Sequence, residues 1–233
     1  MKCPVCAVAL DAPVAACPMC GVPLRRDGGA FVAVMPVIRP GEALVSRDFT
    51  EHALPGQTHR VWSRLDGSSA TAHPHGLVVA TQSAEVFCED WLRARDVCVR
   101  ASLGALDDAS SLGIVARREP IDGARTFYAL DVLPAARKAR LARCFSTKKE
   151  TGVTPLVDFT RCDAIRGGGA LEELELRAQG TALEAWVNGH RFAALHDPVL
   201  GIGFVGIRIE RRDAKAAWTR VLLRGFEARQ VTP

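Results

Sequence analysis

The sequence predicts a mainly β protein: a small N-terminal module with four cysteines, followed by an antiparallel β-sandwich of the jelly-roll type. Three observations support this prediction. Two Cys-x-x-Cys pairs stand within the first 20 residues. From Ala43 onward, apolar residues recur with a period of two rather than 3.6. Short apolar runs alternate with turn residues such as Asn188-Gly189, as expected for antiparallel strands.

The composition is that of a globular chain with one large domain or two modest ones. The 233 residues are 48% hydrophobic and 24% charged, enough to bury a full core. The formal charge of +4 neither requires nor excludes nucleic acid. The longest apolar run, 31–38, is far shorter than the roughly 20 residues of a membrane helix, and no secretory signal is visible. We therefore expect a cytoplasmic protein with no membrane partner.

The N-terminal cysteines are spaced like the ligands of one metal ion. They are Cys3, Cys6, Cys17 and Cys20. Two residues between cysteines let a tight turn aim both thiolates at one ion, and two such turns complete a closed tetrahedral zinc site. Two disulfides are the alternative, which a reducing compartment disfavours.

Residues 3–21 resemble the short zinc ribbons, built on two CPxCG knuckles, that begin many bacterial proteins. The resemblance implies a Zn²⁺ cofactor held by the four cysteines. Ala7 stands where the first knuckle usually carries glycine, so we expect slight strain in that turn, whereas Gly21 suits the second. The remaining cysteines lack such spacing, and we expect buried thiols, with a second metal site or a reactive thiol as the alternative: Cys88, Cys98, Cys144 and Cys162.

We expect three parts along the chain: a zinc ribbon over 1–24, a linker over 25–43 and a β-sandwich over 44–230. The linker carries glycine and proline at both ends. Its apolar centre, 31–38, is suited to lie along the sandwich as an edge strand.

The segment from Leu174 to Leu195 predicts a three-strand meander. Asn188-Gly189 favours a type I′ turn, and Gly180-Thr181 favours a type II′ turn with glycine first. The first turn predicts the cross-strand pairs Val187–His190, Trp186–Arg191 and Ala185–Phe192. The second predicts Arg177–Glu184, Leu176–Ala185 and Glu175–Trp186.

The two turns assign the same residues to the same faces. The core side receives Leu174, Leu176, Leu183, Ala185, Val187 and Phe192. The opposite side receives Glu175, Arg177, Glu184, Trp186 and Arg191. Trp186 offers an apolar plate beside charged groups, an arrangement suited to sugars. We expect these five residues to bind a glycan or a protein partner; a merely solvated or covered face is the alternative.

Most of residues 44–230 resemble the concanavalin A-like lectin and glucanase sandwich, which includes laminin-G-like modules. VSRDFT at 45–50 resembles its opening strand, LGIVAR and TFYALDV a central pair, and VLLRGFEAR the closing strand. Glucanases of this fold carry a Glu-x-Asp-x-Glu strand, whereas Glu173 and Glu175 here have no aspartate between them. Because that motif is missing, we predict a noncatalytic adapter. Its ribbon would dock a protein partner or stabilise the start of the chain, and its sandwich would bind a glycan or another protein. A hydrolase similar to the 3-keto-disaccharide hydrolases, which share the sandwich, is the alternative.

Other motifs indicate no further chemistry. A basic run contains Arg137, Lys138, Arg140 and Arg143, and we interpret it as a solvated hairpin edge. Weak nucleic-acid binding through this hairpin and the ribbon is the alternative, although few aromatic residues are present to stack on bases. His73-x-His75 in a polar loop is a weak metal signal. We expect the glycines at 167–169 to form a loop, because the acidic residues that follow would repel phosphate.

Overall fold

The computed structural model describes residues 1–10, 14–20, 22–35, 38–50, 68–82, 85–107, 110–121, 124–147, 150–212, 215 and 218–232. These residues form the strands β1 (Leu24–Asp27), β2 (Ala30–Ala33), β3 (Arg39–Asp48), β4 (Ser68–His73), β5 (Gly76–Thr81), β6 (Glu85–Ala94), β7 (Val97–Ala105), β8 (Ser110–Ile121), β9 (Ala124–Leu133), β10 (Lys138–Ser146), β11 (Thr151–Arg161), β12 (Leu171–Gln179), β13 (Ala182–Val187), β14 (His190–His196), β15 (Gly203–Arg211) and β16 (Thr219–Thr232). No helix within these ranges is long and apolar enough to cross a membrane.

Two antiparallel sheets make up the body of the protein. One has six strands in the order β11-β10-β9-β8-β15-β6. The other has eight strands, β14-β13-β12-β7-β16-β5-β4 with β3 also paired to β16. The long strand β16 bonds β7 on one side and both β5 and β3 on the other. The predicted fold class, a mainly β antiparallel sandwich, is confirmed.

The main core lies between the two sheets. Leu103, Leu174 and Leu176 point into it from the eight-stranded sheet, and Ile114 and Leu130 point into it from the six-stranded sheet. All five side chains are almost completely buried. Alternation of apolar and polar residues along each strand therefore leaves each sheet with a second side, turned away from this core. For the eight-stranded sheet we call that side the outer face.

The predicted meander is present as β12, β13 and β14. All three predicted pairs of β12 and β13 occur, and the Val187–His190 and Trp186–Arg191 pairs occur across the next turn. The Ala185–Phe192 pair was wrong, because Ala185 pairs with Ala193. Phe192 is the extra residue of a β-bulge, where one strand carries two residues opposite one. It still packs against the core, as expected.

Residues 25–43, expected to be a linker, contain regular structure. Strands β1 and β2 form a hairpin, and its residues Leu24 and Phe31 pack against Cys3 and Cys17. The apolar run at 31–38 does not form the expected edge strand: Ala30–Ala33 pairs with β1, and the strand that joins the sandwich is β3, which begins at Arg39. The run does not form that strand because its apolar residues serve different clusters, Phe31 beside the cysteines and Ile38 on the outer face. The boundaries at residues 24 and 43 stay a prediction.

One end of the sandwich is tied together by Arg117, whose side chain is fully buried. Arg117 lies in a bulge of β8 with a φ of 55°, a conformation uncommon outside glycine. Its guanidinium donates to the carbonyls of Arg95, Gly180 and Leu200, at 2.7–2.8 Å. Because Gly180 begins the turn between β12 and β13, this buried cation fixes the first turn of the meander.

Candidate functional site

The four predicted metal ligands converge. Their Sγ atoms all lie within 4.8 Å of one another, with Cys3–Cys20 at 3.8 Å and Cys6–Cys17 at 3.6 Å. A tetrahedral shell with Zn–S bonds of about 2.3 Å has edges of about 3.8 Å, so this spacing fits one tetrahedral ion. It is far longer than a disulfide bond of about 2.05 Å. The cluster can therefore hold a metal ion.

The two Cys-x-x-Cys turns place their thiols by the same backbone contact. The amide of Cys3 donates to Val8 O and that of Cys17 donates to Val22 O, both at 2.9 Å. Ala7 has a φ of 61°, which confirms the strain expected where glycine usually stands. Gly21 lies outside the described residues. These turns, together with the β1–β2 hairpin, give the short segment its own packed cluster.

The five predicted ligand-binding residues share the outer face of the eight-stranded sheet. Glu175 lies opposite Trp186, Arg177 lies opposite Glu184, and Arg191 continues from Trp186. Two of these residues are buried, unlike the side chains of an open polar face: Glu175 is only 8% exposed and Glu184 only 5%. The face is therefore a packed, charged surface rather than a merely solvated one.

Glu175 is the centre of the charged groups. Arg100 of β7 donates to its Oε2 through Nε at 2.9 Å and also through Nη2, and Arg177 donates to its Oε1. Burial alone would raise the pKa of Glu175, but these hydrogen bonds outweigh burial and hold the pKa below its ordinary value. Glu175 is therefore a fixed anion at neutral pH.

The indole of Trp186 is half-buried and held by charged neighbours. The guanidinium of Arg177 stacks over the ring at 4.6 Å, and that of Arg191 lies 6.0 Å from its centroid. The indole Nε1 donates to Glu184 at 3.3 Å. These contacts fix the ring plane while leaving part of the indole open to solvent.

A cleft of about 340 Å³ opens beside this tryptophan. Its floor includes Glu175 and the cations Arg100 and Arg177. One wall is made by Arg166 and the hairpin tip at Asn188. On the outer face nearby, the Ile38 carbonyl accepts a hydrogen bond from Arg177 at 3.0 Å. Concave shape, one aromatic plate and several convergent polar groups are the features of a ligand site.

A buried carboxylate fixes the wall of the cleft. Glu172 is completely buried and accepts hydrogen bonds from the amides of Arg166 and Gly167 and from the side chain of Asn188. The loop at 167–169, expected as a simple connection, is therefore tied to the hairpin tip. The Gly167 amide donates to the Glu172 carboxylate at 2.8 Å.

Sequence reasoning missed Arg100 and Arg166 as members of the site. Arg100 comes from β7, which pairs with β12 along the register Glu175–Arg100. No local signal connects strands so far apart in sequence. The loop of Arg166 is joined to Asn188 through Glu172 and through the Ala164 carbonyl, which accepts from the Asn188 side chain at 2.8 Å. The turn signal at Asn188 was visible in the sequence, but these contacts were not.

The basic run does not form one solvated edge, so that interpretation was wrong. Its strand, β10, is an inner strand between β9 and β11. Arg140 is buried and pairs with Asp131 at 2.6 Å, and Arg143 pairs with Asp197 at 2.8 Å. Arg208, which lies outside the run, also pairs with Asp131. Two side chains of the run, Arg140 and Arg143, are therefore paired with carboxylates of the fold.

The remaining cysteines behave as predicted where the structure describes their side chains. Cys98 and Cys162 are buried free thiols, and Cys144 is buried as well. Burial and the neighbouring Glu175 raise the pKa of Cys98 to about 12, which disfavours a reactive thiolate. The side chain of Cys88 lies outside the described residues. The rings of His73 and His75 lie with centroids 5.5 Å apart and planes tilted by 55°, beside the β4–β5 turn. Within the described ranges, the N-terminal cysteines are the one group of three or more potential ligand side chains arranged for a metal.

Comparison with solved structures identifies the fold. The chain is similar to a protein of unknown function with a galectin-like fold from Bacillus subtilis, at 12% identity and a TM-score of 0.57, over 84% of this chain and 99% of that one. It is similar to the carbohydrate-binding module CBM66 from Bacillus subtilis, at 10% identity and a TM-score of 0.53, over 72% of this chain and 98% of that one. It is also similar to a Bacillus licheniformis β-glucanase, at 10% identity and a TM-score of 0.50, over 83% and 91%.

These similarities show the fold alone: the body of the chain is a concanavalin A-like β-sandwich. The fold is shared by a carbohydrate-binding module and a glucanase. No protein-family model and no curated protein matches the sequence. The fold alone does not assign a function, which depends on the side chains of the site.

Proposed function

We propose that this protein is a noncatalytic adapter whose sandwich binds a glycan in the cleft beside Trp186 and whose N-terminal cysteines hold a zinc ion. One observation supports glycan binding above all: a half-buried indole, fixed by Arg177, borders a cleft of about 340 Å³ that also contains Glu175 and Arg100. The C–H face of a sugar packs on an aromatic ring while its hydroxyls bond to charged groups. The carbohydrate-binding module with the same fold is consistent with this role.

The carboxylates of the cleft favour binding over hydrolysis. A glycosidase needs a general acid with a raised pKa beside a second carboxylate. Glu175 has the opposite property, because both of its oxygens accept from arginines and its pKa is lowered. Its neighbour Glu173 is exposed. The pair is therefore suited to hold hydroxyl groups rather than to protonate a leaving group.

Four thiolates at tetrahedral spacing favour zinc as the N-terminal ion. Thiolate sets select zinc or iron–sulfur chemistry, and four cysteines leave no coordination position for water. Such a site is structural: it would stabilise a segment too short to fold by its own apolar contacts.

A protein partner at this segment is a second candidate, favoured by apolar side chains on its surface. Met19 is 71% exposed and Met1 is 50% exposed. Exposed apolar side chains are available for contact with a protein. This second role would give the adapter one end for a protein and another for a glycan.

A glycan-binding screen with paired tryptophan variants tests the proposed function. Wild-type protein, Trp186→Ala and Trp218→Ala are applied to the same set of immobilised glycans. Trp218 is 46% exposed and does not line the cleft, so it controls for the loss of any exposed indole. We expect Trp186→Ala to weaken binding by about 1–3 kcal/mol, the scale for a central aromatic anchor, and Trp218→Ala to leave it unchanged.

Two results would overturn the proposal. Equal binding by Trp186→Ala and wild type would remove the cleft from glycan recognition. Turnover of a bound glycan or a 3-keto-glycoside by purified protein, abolished by one carboxylate substitution, would make the chain a hydrolase.

A further inference from the structure

The outer face carries a continuous row of polar side chains that runs across five strands. Consecutive cross-strand partners are Trp186 of β13, Glu175 of β12, Arg100 of β7, Glu227 of β16 and Ser46 of β3. Directly paired residues point to the same side of a sheet. Neighbouring strands are about 4.8 Å apart, so the row is about 19 Å long.

A second cleft, of about 270 Å³, continues along this row from the first. The two clefts share Arg100 and Glu173 in their linings. The second is shallow because Ser102 and Gly225 contribute small or no side chains to its lining. Together the clefts form one groove, which runs across the strands from Trp186 to Ser46.

The groove is nearly balanced in charge along its length. Five arginines and four carboxylates line the two clefts: Arg47, Arg100, Arg166, Arg177, Arg224, Asp48, Glu173, Glu175 and Glu227. Donors and acceptors therefore alternate along the groove without a strong net field. Such a lining matches a chain of hydroxyl groups better than a polyanion or a polycation.

We propose that the groove binds the interior of a linear, neutral polysaccharide, which lies across the strands with one sugar stacked on Trp186 and later sugars over Ser102 and Gly225. This inference rests on the proposed function and specifies its ligand. A groove several sugar rings long gains contacts with each added unit, whereas a pocket for one terminal sugar gains none. Binding depends little on salt, because few charges are neutralised on complex formation.

A length series tests the groove. The probes are cello- and laminari-oligosaccharides from disaccharide to hexasaccharide, titrated calorimetrically into the full chain. We expect the dissociation constant of the better series to fall at least tenfold from disaccharide to hexasaccharide. We also expect less than a twofold change when salt is raised from low to physiological concentration.

Filling the second cleft should remove the length dependence alone. A Cβ at Gly225 would meet only the Arg47 carbonyl, at an ordinary 3.6 Å, so Gly225→Leu can be accommodated while its side chain occupies the cleft. Gly201→Leu is the matched control, because Gly201 is exposed, has open space around its Cβ and lies outside both clefts. We expect Gly225→Leu to bind the hexasaccharide no better than the disaccharide, and Gly201→Leu to behave like wild type.

Ser102→Leu fills the same cleft from β7. It replaces Gly225→Leu in the length series if Gly225→Leu has a lower melting temperature than wild type. Equal affinity of wild type for all lengths, with binding still lost in Trp186→Ala, would overturn the extended groove and leave the proposed function intact. Unchanged length dependence in folded Gly225→Leu and Ser102→Leu would also overturn it. Binding of no oligosaccharide, in these series or in the screen, would contradict the proposed function itself.

Discussion

Arg100 and Glu175 face each other across β7 and β12, and two nitrogens of the arginine donate to one oxygen of the carboxylate. The two residues are 75 positions apart in the chain. Arg177, on the same strand as Glu175, donates to the other oxygen. The pairing of two distant strands thus creates the charged centre of the groove, and the stability of that centre is measurable.

Acid should remove the stabilisation that Glu175 provides. Its folded-state pKa lies below the ordinary value of 4.5, so its contribution is fully present above about pH 4.5 and is lost as the pH falls through the lower folded-state value. Glu175→Gln should therefore lower the free energy of unfolding by about 1.5–3 kcal/mol at neutral pH, the scale for hydrogen bonds to a charged group. The difference from wild type should shrink below pH 4.5.

Urea unfolding of both proteins across this pH range provides the measurement. Glu173→Gln is the matched control, since Glu173 is an exposed carboxylate on the same strand. A Glu175→Gln deficit that stays constant or grows on acidification would show that the carboxylate is not held as an anion.

Truncating a side chain of β12 or β13 to alanine should cost more unfolding free energy on the core side than on the outer face. Leu176 is completely buried, so Leu176→Ala should cost about 2–5 kcal/mol of unfolding free energy through the cavity it leaves. Trp186→Ala should cost about 1 kcal/mol, because the half-buried ring loses mainly its stacking with Arg177. Denaturant unfolding compares the two variants. Equal losses would mean that the indole belongs to the core and is not available to a ligand.

The buried charge network of the six-stranded sheet should be sensitive to one substitution. The side chain of Asp131 is 1% exposed and pairs with Arg140 and Arg208, which are both nearly buried. Gly113 leaves room for the Asp131 carboxylate, because a Cβ at Gly113 would lie only 2.5 Å from Asp131 Oδ1. Asp131→Asn leaves the two buried cations with Glu210 alone, which lies 3.0 Å from Arg208 and 4.0 Å from Arg140. Because the buried charges are then no longer balanced, we expect a loss of about 3–5 kcal/mol.

An exposed pair supplies the control for that substitution. Asp163 pairs with Arg161, and both side chains are at least 75% exposed. Asp163→Asn should therefore change the unfolding free energy by less than about 1 kcal/mol. If the two asparagine variants unfold at the same urea concentration, the Asp131 network contributes no more than a surface pair.

Local signals explain why some of this architecture was predictable. Asn188-Gly189 and Gly180-Thr181 each determine a turn type, and a turn type determines which residues face each other, so the faces of β12 and β13 followed from the sequence. The bulge at Phe192 was missed because it inserts one residue without a turn signal. Arg100 was missed because its position depends on which strand β7 pairs with, a contact between distant segments. The burial of Arg140 was also missed, because it lies in a basic run that suggests a solvated edge. Its charge is tolerated in an inner strand because Asp131 lies opposite it in β9, a pairing that the run itself does not show.

The N-terminal cluster should contain one zinc ion per chain. Protein purified under reducing, zinc-replete conditions is analysed for metal, together with a Cys3→Ser and Cys17→Ser double variant. We expect one equivalent of zinc in wild type and none in the variant, because structural zinc binds thiolates with roughly 10–16 kcal/mol of free energy. Wild-type protein that contains no zinc, or contains iron with labile sulfide, would contradict the assignment.

The indole signals of the protein test the central claim most directly. The chain has four tryptophans, and each gives one side-chain N–H signal in a nitrogen-correlated NMR spectrum. The spectra of Trp186→Phe and Trp218→Phe assign the two relevant signals. Titration with the hexasaccharide that binds best should shift the Trp186 signal progressively, to saturation at the calorimetric dissociation constant, and leave the Trp218 signal in place. A glycan that binds at that constant without moving the Trp186 signal would contradict a binding site on the outer face.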